Sequence, residues 1–383
     1  MASTITFEAG STTTVTDFTL SGTAGNLVTV DTSIFYPNVE YLVVAGGGGG
    51  GTGPSINAGA GGGGGGGVIY NALYPITGGT TYTVTVGSGG SAGATDSNGT
   101  NGGNSSITTT SASIVALGGG YGATRFTNGG DGGSGGGGGI YTSYSGTTTQ
   151  PGGAATQPAS ASGGYGNPGG AGFNYNWAQS GGGGGAGGAT TDWGTGTTPG
   201  IGLFVENFSA YGESGYFASG GAGVIGGIAA AGAWQLGGGG GWAFSAQWYG
   251  SATVPRSVIA ATGGGGAIGM PGADGIVIMR YPDSYGAATT TGSPTITVVG
   301  GYREYAWTTS GSITFTYTGT QSTLSKSSGT VSVDYLSIGN SIATGGATWY
   351  AGANSVDVGN NTGWIFTAPP APSTNTGNFF LFF

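Results

Sequence analysis

Fourteen carboxylates face five bases in this chain, and the bases are Arg125, Arg256, Arg280, Arg303 and Lys326. There is no histidine and no cysteine. Catalysis near neutral pH usually recruits histidine, a tuned lysine, a thiolate or a metal held by His and Cys. Zinc and iron–sulfur sites lose their usual ligands by the same omission. What remains is carboxylate, Ser/Thr and Tyr chemistry. Glu206 and Glu213 would suit glycoside hydrolysis if the fold set them at the right separation, but no Arg or His stands near them in sequence to position a substrate. Gly130-Asp131-Gly132-Gly133 lacks the spaced Asp ligands of a calcium loop. The glycines at 46–51 follow Val43-Val44-Ala45 as in a dinucleotide-binding turn. That turn needs a helix and a later acidic residue, and here Thr52-Gly53-Pro54 and more glycine follow. The expectation is a non-enzyme with no cofactor and no metal.

Aromatic rings between glycine runs are the better candidates for recognition, because Tyr, Trp and Phe give large contact areas at small entropic cost. The candidate residues are Tyr141, Tyr144, Phe173, Tyr175, Trp177, Phe208, Tyr211, Trp242, Trp248 and Tyr249. The same rings would also serve as caps or gap fillers wherever glycine leaves space. The net charge of −9 disfavours nucleic acid, whose phosphates need clustered Lys and Arg, and it disfavours anionic membranes. Residues 224–236 are almost all apolar or small, but glycine interrupts them too often for a spanning helix. The start, MASTITFE, carries no basic region and no apolar run, so no secretory signal is expected there.

The elements that would position these rings are built on glycine, which supplies 95 of the 383 residues. No Gly-X-Y period is sustained, which excludes collagen, and 11% aromatic content argues against disorder. Strand-like sequences bracket the glycines: VEYLVVA opens into residues 46–51, residues 61–67 run into Val68-Ile69-Tyr70, and TYTVTV at 81–86 alternates with period two. Pure glycine runs at 118–120, 135–139, 181–185, 237–241 and 263–266 are compatible with polyproline-II-like helices. These have about three residues per turn and rise ~3.1 Å per residue, with every backbone N–H and C=O turned outward. One such helix alone would be unstable; a bundle bonds laterally. Residues 61–67 would then span about 20 Å.

VEYLVVAGGGGGG at 39–51, the interior glycine runs and the closing GIVIMRY at 275–281 resemble the glycine-rich domain of bacteriophage tail fibres and tail-tip adhesins, over about residues 39–282. The resemblance implies a polyglycine-II sandwich whose loops at one end contact a host-surface glycan or outer-membrane protein. It also implies a virion location, association with other virion proteins and a homo-oligomer, with a trimer the expectation for such fibres.

The fold class expected is all-β and irregular: a glycine-rich polyglycine-II bundle framed by short strands, flanking small β domains, and essentially no α-helix. Residues 1–33 and 319–367 are Ser-, Thr- and Val-rich. They resemble two parts of one β-helix-like or β-sandwich module of phage structural proteins, split by the insertion of 34–292 and a β segment at 293–318; two unrelated β domains are the other reading. Residues 368–383 form a Pro-rich spacer and a tail. Phe379, Phe380, Leu381, Phe382 and Phe383 would either dock on another subunit or pack on their own domain. A non-adhesive part such as a head fibre or fibre shaft is the alternative function. A third is ice binding, which a thermal hysteresis assay checks.

Overall fold

The computed structural model describes residues 5–6, 30–31, 38–54, 59–77, 79–140, 149–175, 177–190, 198–225, 228–229, 235–240, 257–283, 285–315, 322–334, 336–339, 341–359 and 361–370. The protein is all-β, and among the described residues the helical content is one 3-10 turn, Glu206–Phe208. The chain forms two compact units: Met1–Tyr36 with Tyr317–Phe383, and Pro37–Thr316.

Hydrogen bonds in the larger unit repeat every three residues, as a threefold extended helix requires. The N–H groups of Gly46 and Gly49 donate to Gly103 and Thr100 (3.0 and 2.9 Å), those of Gly47 and Gly50 to Ala273 and Met270 (2.9 and 2.9 Å), and those of Gly48 and Gly51 to Gly64 and Gly61 (2.8 and 3.0 Å). The carbonyls go to three other segments: Gly46 and Gly49 accept from Gly119 and Gly122, Gly47 and Gly50 from Gly90 and Gly93, and Gly48 and Gly51 from Gly266 and Gly269. The segments that accept its N–H bonds run antiparallel to 45–52, and those that donate to its carbonyls run parallel to it.

Residues 61–67 are placed in the same way. Their N–H groups reach 117–123, 181–184 and 263–266, and their carbonyls accept from 45–51, 134–137 and Gly221. Two polyglycine struts therefore lie side by side, each surrounded by neighbours. This explains why both runs are pure glycine. At every position from 46 to 51 and from 61 to 66, an added Cβ would overlap a backbone carbonyl of an adjoining strut.

At the rim of the bundle, side chains replace absent struts. Asn98, Asn101 and Asn104, spaced by three, accept through Oδ1 from the N–H groups of Thr124, Tyr121 and Gly118 (2.7, 2.8 and 2.8 Å). Asp274 does the same for Gly89 (2.7 Å) and Ser105 for Gly87 (2.9 Å).

At one end, called the base here, the struts continue into two five-stranded antiparallel sheets. The first has the order Thr295–Val299, Tyr302–Trp307, Ile276–Pro282, Val39–Val44, Val68–Tyr74; the second, Thr289–Thr291, Gly311–Thr314, Thr81–Thr85, Ser105–Thr108, Ser113–Ala116. Much of the 293–318 segment thus completes these sheets, pairing with the framing strands of the glycine unit. Tyr82, Tyr281, Tyr305, Trp307 and Phe315 fill the space between the sheets, with ring centroids 5.6 to 6.0 Å apart. Residues 203–217 cover the opposite face of the first sheet, burying Val205, Phe208 and Phe217 against Leu42, Val44, Ile276 and Ile278.

The tyrosines at the base make stability pH-dependent. Burial raises Tyr41, Tyr70, Tyr74, Tyr211 and Tyr281 above the ordinary value of 10.0, and a hydrogen bond to Tyr305 adds to the rise at Tyr281. A raised pKa means that, once pH passes 10.0, the unfolded chain loses protons that the folded chain keeps. Their contribution is intact below that value and is lost above it. Urea unfolding is expected to give a lower stability at pH ~11 than at pH ~9, with a shallower loss in Tyr281→Phe; equal stability at both pH values would contradict this.

In the smaller unit every described strand pair is parallel. Ser322–Lys326 stacks under Ser341–Gly345, Thr330–Ser332 under Thr348–Tyr350 and then Trp364–Ile365, and Ser337–Gly339 under Val356–Gly359. Successive coils of this β-helix-like stack place Trp349 beside Trp364, ring centroids 5.3 Å apart. Leu324, Val333, Leu336 and Ile338 are buried within it.

Candidate functional site

The end of the bundle opposite the sheets, the tip, is where struts turn back. Three features gather there. Residues 95–96 turn between two struts, and Asp96 in this turn forms an ion pair with Arg125 (2.5 Å). The turn after residues 118–124 carries Phe126, which has a positive φ of 59° and is 39% exposed. Thr124 and Thr127 tie this turn down: Thr124 Oγ1 donates to Thr52 O (2.9 Å) and Thr127 Oγ1 to Asn98 Oδ1 (2.9 Å).

The third feature is a small antiparallel sheet, ordered Ile228–Ala229, Val224–Ile225, Trp177–Gln179, Gly172–Tyr175, Thr149–Gln150. Its central hairpin pairs Trp177 with Tyr175 and Gln179 with Phe173. Struts hold both legs of this hairpin. Gly170 N–H donates to Gly182 O (2.8 Å) and Gly138 N–H to Gly170 O (3.0 Å), while Ser180 Oγ donates to Ala60 O (2.5 Å). Gln179 Oε1, at the foot of the hairpin, is buried without a hydrogen-bond partner among the described residues.

The rings singled out from the sequence divide into three groups. Phe173, Tyr175 and Trp177 come together on the tip hairpin. Tyr141, Tyr144, Trp242, Trp248 and Tyr249 lie outside the described residues, as do Phe379, Phe380, Leu381, Phe382 and Phe383. Phe208 and Tyr211 sit at the base, and the burial of Phe208 corrects its reading as a recognition residue. Phe208 is 0% exposed in the core beneath residues 203–217. Tyr211 OH donates to Glu304 Oε2 (3.1 Å). An aromatic loop between glycine runs looks the same in sequence whether it faces solvent or covers a sheet. Phe126, at the tip, meets the same criterion of a ring between glycine runs.

Two carboxylates have structural partners. Glu213 Oε2 accepts from the N–H groups of Gly237 and Gly238 (2.8 and 3.0 Å) and so fastens a turn. Glu304, of a residue type that is mostly exposed, is 5% exposed. Strand register sets Arg280 between Glu40 and Glu304, with Arg280 Nε 2.7 Å from Glu40 Oε2 and Nη1 3.6 Å from Glu304 Oε1. Tyr70 OH and Asn207 Nδ2 complete Glu40 Oε1 (2.7 and 2.8 Å). Among the described residues, no cluster of Asp and Glu is arranged to hold a metal ion, and no helix is long and apolar enough to cross a membrane.

Fold and tip together define an all-β protein with a bundle of glycine struts carrying loops and a small hairpin at one end. The chain belongs to the glycine-rich domain family, whose model matches residues 21–282, more than half of its length. No curated protein matches the chain.

Proposed function

We propose that this protein is a virion component of a bacteriophage, a tail fibre or receptor-binding adhesin whose tip recognises a glycan or outer-membrane protein on the host. The observation that carries the reading is the tip hairpin, which brings Phe173, Tyr175 and Trp177 together where the struts turn back. Each strut is bonded on several sides, so the hairpin stands on a preorganised base and loses little freedom on binding. Rigid aromatic clusters are the usual energetic centres of recognition surfaces. The low charge of the chain, 5%, fits contact with a neutral or polar surface better than with a polyanion. Incorporation beside other virion proteins, a trimeric assembly and the Phe-rich tail as its docking segment belong to the same proposal.

The test is a triple variant, Phe173→Ala, Tyr175→Ala and Trp177→Ala, in the full chain. Binding to susceptible bacteria is expected to fall by about a hundredfold, the equivalent of ~3 kcal/mol, with the melting temperature unchanged. Undiminished binding would remove the hairpin from the site. If neither parent nor variant binds any cell, the protein is a non-adhesive virion part.

A further inference from the structure

A second surface feature lies at the base, at the other end of the bundle from the tip hairpin. Tyr165 closes the turn that starts near Gln157 and forms a bridge with Val68: its N–H donates to Val68 O (2.8 Å) and Val68 N–H to Tyr165 O (3.1 Å). Tyr70 lies two residues further along the same strand. Opposite, Leu203–Phe204 pairs with Tyr216–Phe217, and the Phe204 ring rests 4.9 Å from that of Tyr216. Between them is a recess of about 310 Å³ that opens to solvent. Its rings are unusually bare for this chain: Tyr165 is 46% and Phe204 49% exposed.

We propose that this recess, lined by Tyr70, Tyr165, Phe204, Glu206 and Asn207, binds a neutral hexose unit. Its volume is at the lower end for small-molecule sites and suits one sugar ring. The apolar C–H face of a hexose would lie on the exposed rings, and its hydroxyls would meet acceptors at the rim. Glu206 makes no side-chain hydrogen bond or ion pair among the described residues and offers a carboxylate. Asn207 is held in place because its Nδ2 donates to Glu40 Oε1 (2.8 Å), which leaves Oδ1 as the amide's acceptor. Tyr70 OH is likewise committed to Glu40 (2.7 Å), so Tyr70 contributes its ring.

The lining contains no Lys or Arg, and the chain carries −9 overall, which disfavours a phosphate, sulfate or acidic sugar. Aromatic rings with a carboxylate are also the chemistry of quaternary ammonium cages. A cage closes its rings around the cation, whereas this recess is open and edged with acceptors for hydroxyl groups. The site is separate from the tip, so either can fail alone.

Ligand-observed NMR on the full chain tests this, with methyl glycosides of glucose, galactose, mannose and N-acetylglucosamine, and choline chloride, as probes. Saturation transfer to at least one glycoside is expected. It should weaken about tenfold in Tyr165→Ala and in Glu206→Gln, by roughly 1.4 kcal/mol, and stay unchanged in the tip triple variant. Phe204→Leu, which keeps an apolar group against Tyr216, should weaken it as well. Three results would overturn the proposal: no glycoside signal from folded protein, a signal that survives both Tyr165→Ala and Glu206→Gln, or binding of choline alone.

Discussion

Gly48→Ala is expected to destabilise the native state severely. The added Cβ would overlap Gly120 O. That oxygen cannot retreat freely, because it accepts from Gly64 N–H (2.8 Å), and Gly64 in turn accepts through its own carbonyl from Gly48 N–H (2.8 Å). Relief would require neighbouring struts to move together, breaking bonds in a lattice with no spare volume. Overpacking of ordinary cores costs about 1–3 kcal/mol because side chains give way; here only backbone surrounds the site, and a loss of about 4 kcal/mol or more is expected. Gly188→Ala is the control. Its nearest neighbour would be Ile201 Cγ2, at 3.2 Å, the end of a side chain that can turn. Thermal melts should place Gly188→Ala within about 2 °C of the parent, and Gly48→Ala at least ~10 °C lower or in the insoluble fraction. Similar melting of the two variants would mean that the strut at 46–51 is not enclosed.

Arg280→Ala should be nearly as damaging, for an electrostatic reason. Glu40 and Glu304 are 7% and 5% exposed and sit on the strands flanking Arg280. Removing the guanidinium leaves two carboxylates out of water without their cation. Breaking a buried pair in this one-sided way costs about 3–5 kcal/mol. The guanidinium also lies over the Tyr302 ring (4.4 Å) and donates to Asn207 O (3.1 Å), so its loss loosens the cover formed by residues 203–217. The neutral triple variant Glu40→Gln, Arg280→Met, Glu304→Gln should recover most of the stability, because no charge is then stranded. Urea titration of both variants checks this. Arg280→Ala within about 1 kcal/mol of the parent would contradict the account.

Much of this architecture was legible in the residues. VEYLVV at 39–44 and IVIMRY at 276–281 are near-continuous apolar runs, broken by Glu40 and Arg280, as strands covered on both faces read. TYTVT at 81–85 alternates and buries only Tyr82 and Val84. The purity of the glycine runs followed from the need for close approach on every side. What could not be read was which strut neighbours which. A side chain normally labels a register, and glycine carries none, so runs 46–51 and 61–67 look alike although one is bonded to 97–103 and the other to 134–137. The spacing of Asn98, Asn101 and Asn104 did hold a usable signal, since a period of three among polar residues marks a strut at the rim. Arg280 and its partners are far apart in sequence, and only the pairing of three distant strands makes Glu304 a buried residue. The placement of the rings at 203–217 was not legible either, because sequence does not say at which end of a bundle a loop emerges.

The claim that the tip is a receptor-binding surface is tested most directly by incubating fluorescently labelled full-length protein with a panel of bacterial strains, and by asking whether excess unlabelled protein blocks phage adsorption to the strains that bind. The account predicts saturable binding confined to a narrow subset of strains, with competition against adsorption that the tip triple variant does not reproduce. Absence of binding to every strain by protein shown to be folded would contradict it.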